Sequence, residues 1–112
     1  MTPESRILAE IRIALSEQAP DAVFWRLHQG QGYTPDGRHL RGGLVAGAAD
    51  LIGVGPGGRF LAIEVKAPRG KVSREQTQWG AIIRKHGGFY AVVRSVPDAL
   101  AALERARRGE TE

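Results

Sequence analysis

The stretch "ADLIGVGPGGRFLAIEVK", residues 49–66, sets two runs of apolar and β-branched residues around a Gly-Pro-Gly-Gly centre. Such runs flanking a turn of φ-permissive residues read as a β-hairpin, with strands expected at 49–54 and 59–66. The second run breaks its own pattern with two opposite charges, Glu64 and Lys66, one valine apart. Alternation along a strand puts Phe60, Ala62, Glu64 and Lys66 on one face and Leu61, Ile63 and Val65 on the other. A hairpin turning symmetrically about Gly57 also sets Asp50 opposite Glu64. Cβ atoms of directly opposed residues lie about 4.5–5.5 Å apart, and like charges at that separation destabilise a sheet unless something offsets them. A divalent cation is the natural offset.

Hard oxygen ligands suit magnesium or manganese, ions that keep several waters and take only one or two carboxylates. Such an ion lowers the pKa of water and polarises a phosphoryl oxygen, and Lys66 would add a compact positive charge beside it. These parts make a phosphodiester-cleaving site. The alternative is a pair of same-face charges on an edge strand, where charge discourages aggregation. Spacing alone leaves both readings open.

Outward from the hairpin, Ser73 with Gln76 three residues later is a capping-box pattern, so "SREQTQWGAIIRKH" opens a helix that Gly87-Gly88 stops. "FYAVVR" (89–94) is an apolar run expected to be a strand buried on both faces. "SVPDALAALERARR" starts with a serine cap and Pro97 and gives a last helix, with 105–112 expected as a frayed, charged tail. Towards the N-terminus, Thr2-Pro3-Glu4 and the spacing of Ile7, Leu8, Ile11 and Leu15 place a helix at 3–18. "AVFWRLH" (22–28) reads as a strand. Between 29 and 48 come six glycines and the turn signal Thr-Pro-Asp-Gly, with a short hairpin expected around 35–37. Both tryptophans, Trp25 and Trp79, fall in periodic apolar stretches and are expected in the core, which leaves Tyr33 as the candidate for stacking on a base.

The chain has 112 residues, 42% of them hydrophobic, which suits one compact domain over 1–112. Sixteen basic against twelve acidic residues give a net charge of +4, which favours a polyanionic partner such as nucleic acid. There is no cysteine, so disulfides, thiolate metal sites and a thiol nucleophile are excluded. His28, His39 and His86 show no zinc-ligand spacing. The N-terminus lacks the apolar core of a signal peptide, and no apolar run reaches the roughly 20 residues of a membrane span. A cytoplasmic location is expected.

Three segments, "GAADLIGV", "GRFLAIEVKAPRGKVSREQ" and "GGFYAVVRSVPDALAAL", resemble the VRR-Nuc (virus-type replication-repair nuclease) domain of the PD-(D/E)XK nucleases, in family order and near family spacing. The resemblance implies an α/β (α+β) fold with a restriction-endonuclease-like core, a mixed β-sheet flanked by helices in the order α-β-β-β-α-β-α. It implies a divalent-metal-dependent DNA endonuclease, with Mg2+ or Mn2+ as cofactor. By position, Asp50 and Glu64 are the metal-binding carboxylates, Lys66 the catalytic lysine, and the carbonyl of Val65 a further ligand. Gln76 matches a glutamine of the family site, although the capping box alone would also explain it. An acidic residue of the first helix completes such sites; Glu4 fits best and Glu10 is the reserve. Ala49 stands where the motif usually has proline.

Arg38 and Arg41 before the aspartate, with Arg69, Lys71 and Arg74 after the lysine, are the expected DNA phosphate contacts. Stand-alone members of the family look like homodimers acting on branched DNA such as four-way junctions, and a two-fold dimer supplies the two active sites a symmetric junction needs. The competing reading is a catalytically silent DNA-binding or assembly module on the same fold.

Overall fold

The computed structural model describes residues 2–27, 31–41 and 46–112, and for 31–33 and 39–41 the backbone alone. Helix α1 (Pro3–Gln18) starts where Thr2 accepts the Ser5 N–H at 3.0 Å, with Pro3 in the first helical position. Its buried side chains, Leu8, Ile11, Ala14 and Leu15, form one stripe at helical spacing. Strand β1 (Val23–Arg26) follows, then a separate hairpin of β2 (Gln31–Tyr33) and β3 (His39–Arg41). Next come β4 (Leu51–Val54), β5 (Phe60–Val65), α2 (Arg74–Lys85), β6 (Phe89–Val93) and α3 (Val96–Arg107).

The main sheet has the order β1-β4-β5-β6, antiparallel except for the parallel pair β5 and β6 that α2 connects. Setting aside the small β2–β3 hairpin, the chain runs α-β-β-β-α-β-α, as expected. The β4–β5 turn closes through Gly57 and Gly58, both at positive φ (73° and 79°), a region open to glycine and strained for other residues. Leu51 pairs with Ile63 and Val54 with Phe60, so the hairpin is symmetric about Gly57 as the sequence implied.

The sheet divides the core into two. On one face Leu61, Ile63 and Val65 pack with Leu8, Ile11 and Leu15 of α1 and with Ala99, Ala102 and Leu103 of α3. On the other, Ala62, Ala48, Ala49, Trp79 and Tyr90 form a smaller cluster under α2. Trp79 sits edge-to-face on Tyr90 and Phe60, with ring centroids 5.8 and 6.3 Å apart.

Two expectations change. Trp79 is in the core, but Trp25 is 53% exposed, because β1 is an edge strand and α2 packs over β6 at the far side of the same face. The tail expected to fray is also tied down. Helix α3 runs to Arg107; beyond it the Tyr90 N–H donates to the Thr111 carbonyl at 2.9 Å, and Arg84 pairs with Glu112 at 3.4 Å. Arg59, leaving the hairpin turn, donates to the carbonyls of Gly87, Ala106 and Glu110 at 3.1, 3.1 and 2.6 Å. The guanidinium's fan of donors thus satisfies carbonyls just past α2, in the last turn of α3 and in the tail beyond it.

Candidate active site

The two carboxylates meet at the open end of the β4–β5 hairpin. Asp50 lies one residue before β4, and its Oδ2 accepts the Val65 N–H at 2.7 Å. Its own carbonyl accepts the Leu27 N–H at 2.8 Å, which continues the β1–β4 pairing past the last formal pair. Asp50 is therefore held by backbone from both neighbouring strands, although Ala49 rather than proline precedes it. Ala49 itself is fully buried.

Glu64 is the buried charged side chain of the protein's described part, only 2% exposed. Burial pushes its carboxyl up to about 9; the Asp50 charge and a hydrogen bond shared with Asp50 push the same way, Lys66 opposes, and Glu4 adds a smaller push. A carboxyl so far above its ordinary value needs a proton or a cation to rest beside Asp50. The donor set is all oxygen, which fits magnesium or manganese. Among the described residues no three His, Asp or Glu side chains converge to hold an ion. A pair of carboxylates is nevertheless what magnesium takes from a protein when waters and substrate oxygens fill the remaining positions.

Lys66 follows at the end of β5, half-buried, its N–H donating to the Val93 carbonyl at 3.0 Å. The turn after it is fixed by a residue the sequence reading did not single out. Arg94, just past β6, donates from Nη1 to the carbonyls of Ala67 and Gly70 at 2.7 and 2.8 Å. An arginine ending an apolar strand, level with the end of its parallel neighbour, was the available signal.

Gln76 caps the helix and also reaches Glu64. Its Oε1 accepts the Ser73 N–H at 2.8 Å while Ser73 Oγ accepts the Gln76 N–H at 3.1 Å, completing the capping box. Its Nε2 lies 3.3 and 3.4 Å from the two Glu64 oxygens.

Tyr90, also missed, is 1% exposed; its hydroxyl has no hydrogen-bond partner among the described residues, and its phenol is pushed up to about 12 by burial and the Glu64 charge. A tyrosine in a strand buried on both faces should have prompted the question of where its hydroxyl goes.

Of the other expected residues, Glu4 is felt at Glu64. Glu10 is exposed, about 9 Å further along the α1 axis. Arg69 and Lys71 are exposed on the segment joining Lys66 to α2, and Arg74 is exposed at the first position of that helix. Arg38, in the β2–β3 turn, is paired with Asp36 at 3.1 Å. The side chains of Tyr33, His39 and Arg41, and all of His28, lie outside the described residues.

The family model for the VRR-NUC domain matches residues 5–97. A solved structure described as a VRR_NUC domain superposes with a TM-score of 0.65 at 23% identity, covering 93% of this chain and 97% of the other. No protein with a curated description matches the chain.

Proposed function

The chain belongs to the VRR-NUC domain family, a family of nuclease domains, and on that premise we propose that it is a divalent-metal-dependent DNA endonuclease hydrolysing phosphodiester bonds. The observation that carries the reading is the pairing of Asp50 with buried Glu64, with Lys66 two residues beyond on the same strand. Asp50, Glu64 and the Val65 carbonyl would hold Mg2+ or Mn2+, with Glu4 as the nearest further carboxylate. When bound, the ion supplies activation of water and neutralisation of charge on the phosphate. Asp50, anchored on the Val65 N–H, keeps the site from rearranging as substrate arrives. Lys66 orients water or offsets charge building on the phosphate oxygens, work for which its compact ammonium group is suited.

Arg69 and Lys71 on the segment after Lys66, with Arg74 at the start of α2, would follow the DNA backbone without reading bases, and Arg38 and Arg41 would contribute from the hairpin. Branched DNA such as a four-way junction is the proposed substrate and a homodimer the working form. Among the described residues no helix is long and apolar enough to cross a membrane. A cytoplasmic enzyme remains the proposal.

The basic charge and the absent proline favour a silent DNA-binding module; against the second of these, the backbone hold on Asp50 from Leu27 and Val65 supports the enzymatic reading. The experiment is a cleavage panel of linear, flapped and four-way DNA with and without Mg2+. Wild type is expected to cut only with the metal, while Lys66→Ala and Glu64→Gln bind the same DNA and cut far more slowly. Equal cleavage by those variants would sink the assignment.

A further inference from the structure

The amide of Gln76 can present either oxygen or nitrogen to the site, and the two choices give it different chemistry. A backbone N–H can only donate, so the amide atom 2.8 Å from the Ser73 nitrogen is the oxygen. The NH2 end is then the one turned to Glu64, within 3.3 and 3.4 Å of its two oxygens. The helix cap thereby decides which end of the side chain faces the carboxylates.

Two glycines fix the helix that carries it. Gly47 has φ +89°, and a Cβ built there would lie 2.2 Å from the Glu75 carbonyl oxygen and 2.8 Å from the Gln76 nitrogen. The segment leading to Asp50 therefore rests directly on the backbone of the first turn of α2. One turn after Gln76, a Cβ at Gly80 would lie 2.4 Å from a ring carbon of Tyr90, so the missing side chain lets α2 settle onto β6.

Building on the nuclease reading, we propose that Gln76 is a positioning residue and not a metal ligand. Its oxygen is committed to the Ser73 N–H, its NH2 group holds the Glu64 carboxylate beside Asp50, and the Gly47 contact sets how closely the loop before Asp50 approaches the helix turn that carries Gln76.

Four variants separate this from a helix cap alone. Gln76→Glu keeps the capping box, which accepts glutamate as readily as glutamine, but presents an oxygen to Glu64 in place of donors. Gln76→Ala removes both contacts. Ser73→Pro deletes the orienting N–H at a residue whose φ of −75° suits proline, whereas Ser73→Ala removes the hydroxyl and keeps the N–H.

The readouts are solvent exchange of the Gln76 side-chain NH2 by NMR on the intact chain, and kcat and KM on cleavable DNA with Mg2+. The NH2 protons are expected to be protected in wild type and Ser73→Ala and to exchange freely in Ser73→Pro. Gln76→Glu is expected to keep the helix cap and, with Mg2+ offsetting the added charge, to stay folded in the assay yet lose about tenfold or more in kcat with KM little changed. Wild-type kcat in Gln76→Glu would reduce Gln76 to a cap and overturn the proposal. So would equal exchange in Ser73→Pro and Ser73→Ala. If wild type cuts no DNA at all, the nuclease reading fails, and the exchange comparison still decides how the amide is held.

Discussion

Replacing Glu64 by glutamine should stabilise the metal-free protein while disabling it. In the unfolded chain this carboxyl is ionised above its ordinary value of 4.5, and in the fold burial beside Asp50 pushes it up to about 9. At pH 7 the folded protein must therefore hold a proton that the unfolded chain has released. The cost is about 3 kcal/mol, from about 1.4 kcal/mol for each pH unit above the unfolded value. The sign follows from the direction of the shift: the penalty is absent below about pH 4.5, grows as pH rises, and levels off above about pH 9. Glutamine has nearly the same shape, carries no charge and titrates nowhere in that range, so it escapes the penalty. For a chain of 112 residues, about 3 kcal/mol corresponds to a rise in Tm of roughly 10 °C. The assay is urea denaturation of both proteins in a chelator at pH 4.5, 6, 7 and 8. The gap between them should open steadily across the series and shrink when Mg2+ is restored to the wild type. A variant no more stable than wild type at pH 7, or a gap indifferent to pH, would refute the picture of two carboxylates forced together in the fold.

Mg2+ at a hundredfold excess over its dissociation constant should stabilise wild type by about 2.7 kcal/mol, and calorimetric scans of Asp50→Asn should show less than half of that. Lys66→Ala is expected to lower kcat by about 10²–10³ with DNA affinity retained, read by single-turnover cleavage and fluorescence anisotropy. Gly47→Ala meets both a positive φ and the Glu75 carbonyl, so it should cost at least about 2 kcal/mol in chemical denaturation. Arg59→Ala removes three hydrogen bonds to backbone carbonyls; about 2 kcal/mol should be lost, and the Tyr90 amide, which donates to Thr111, should exchange faster.

The parts of the fold that were legible are those whose causes are local. Thr2 and Pro3 start α1, Ser73 and Gln76 start α2, and the symmetric turn at Gly57 fixes the β4–β5 register, all within a few residues of the feature they determine. The misplaced residues depend on distant partners. Trp25 has the pattern of a core residue, but its exposure is decided by β1 ending up as an edge strand, away from the β6 side that α2 covers. The tail looked free because the partners its charges find nearby in sequence, Arg107 with Glu104 and Arg108 with Glu110, form surface pairs that hold little. Arg59 and Arg84, which hold it, come from the hairpin turn and from α2.

The same division runs through the site. Asp50 and Glu64 could be paired from sequence because a tight hairpin joins them, and the like-charge contact that results is itself the argument for a cation. The contacts of Gln76, Arg94 and Gly47 each cross a junction between elements: helix to strand, strand end to the turn after its parallel neighbour, loop to helix. No spacing rule predicts those. On the proposed reading, the motif residues would therefore not be enough for the chemistry by themselves. A chain could keep Asp50, Glu64 and Lys66 and still lose its arrangement through one methyl group at Gly47 or Gly80, where α2 is brought against the loop and the sheet. Such a change leaves every charge in place, so its effect would appear as a misplaced Gln76 amide and a loosened Glu64, and sequence motifs alone would still count the site as intact.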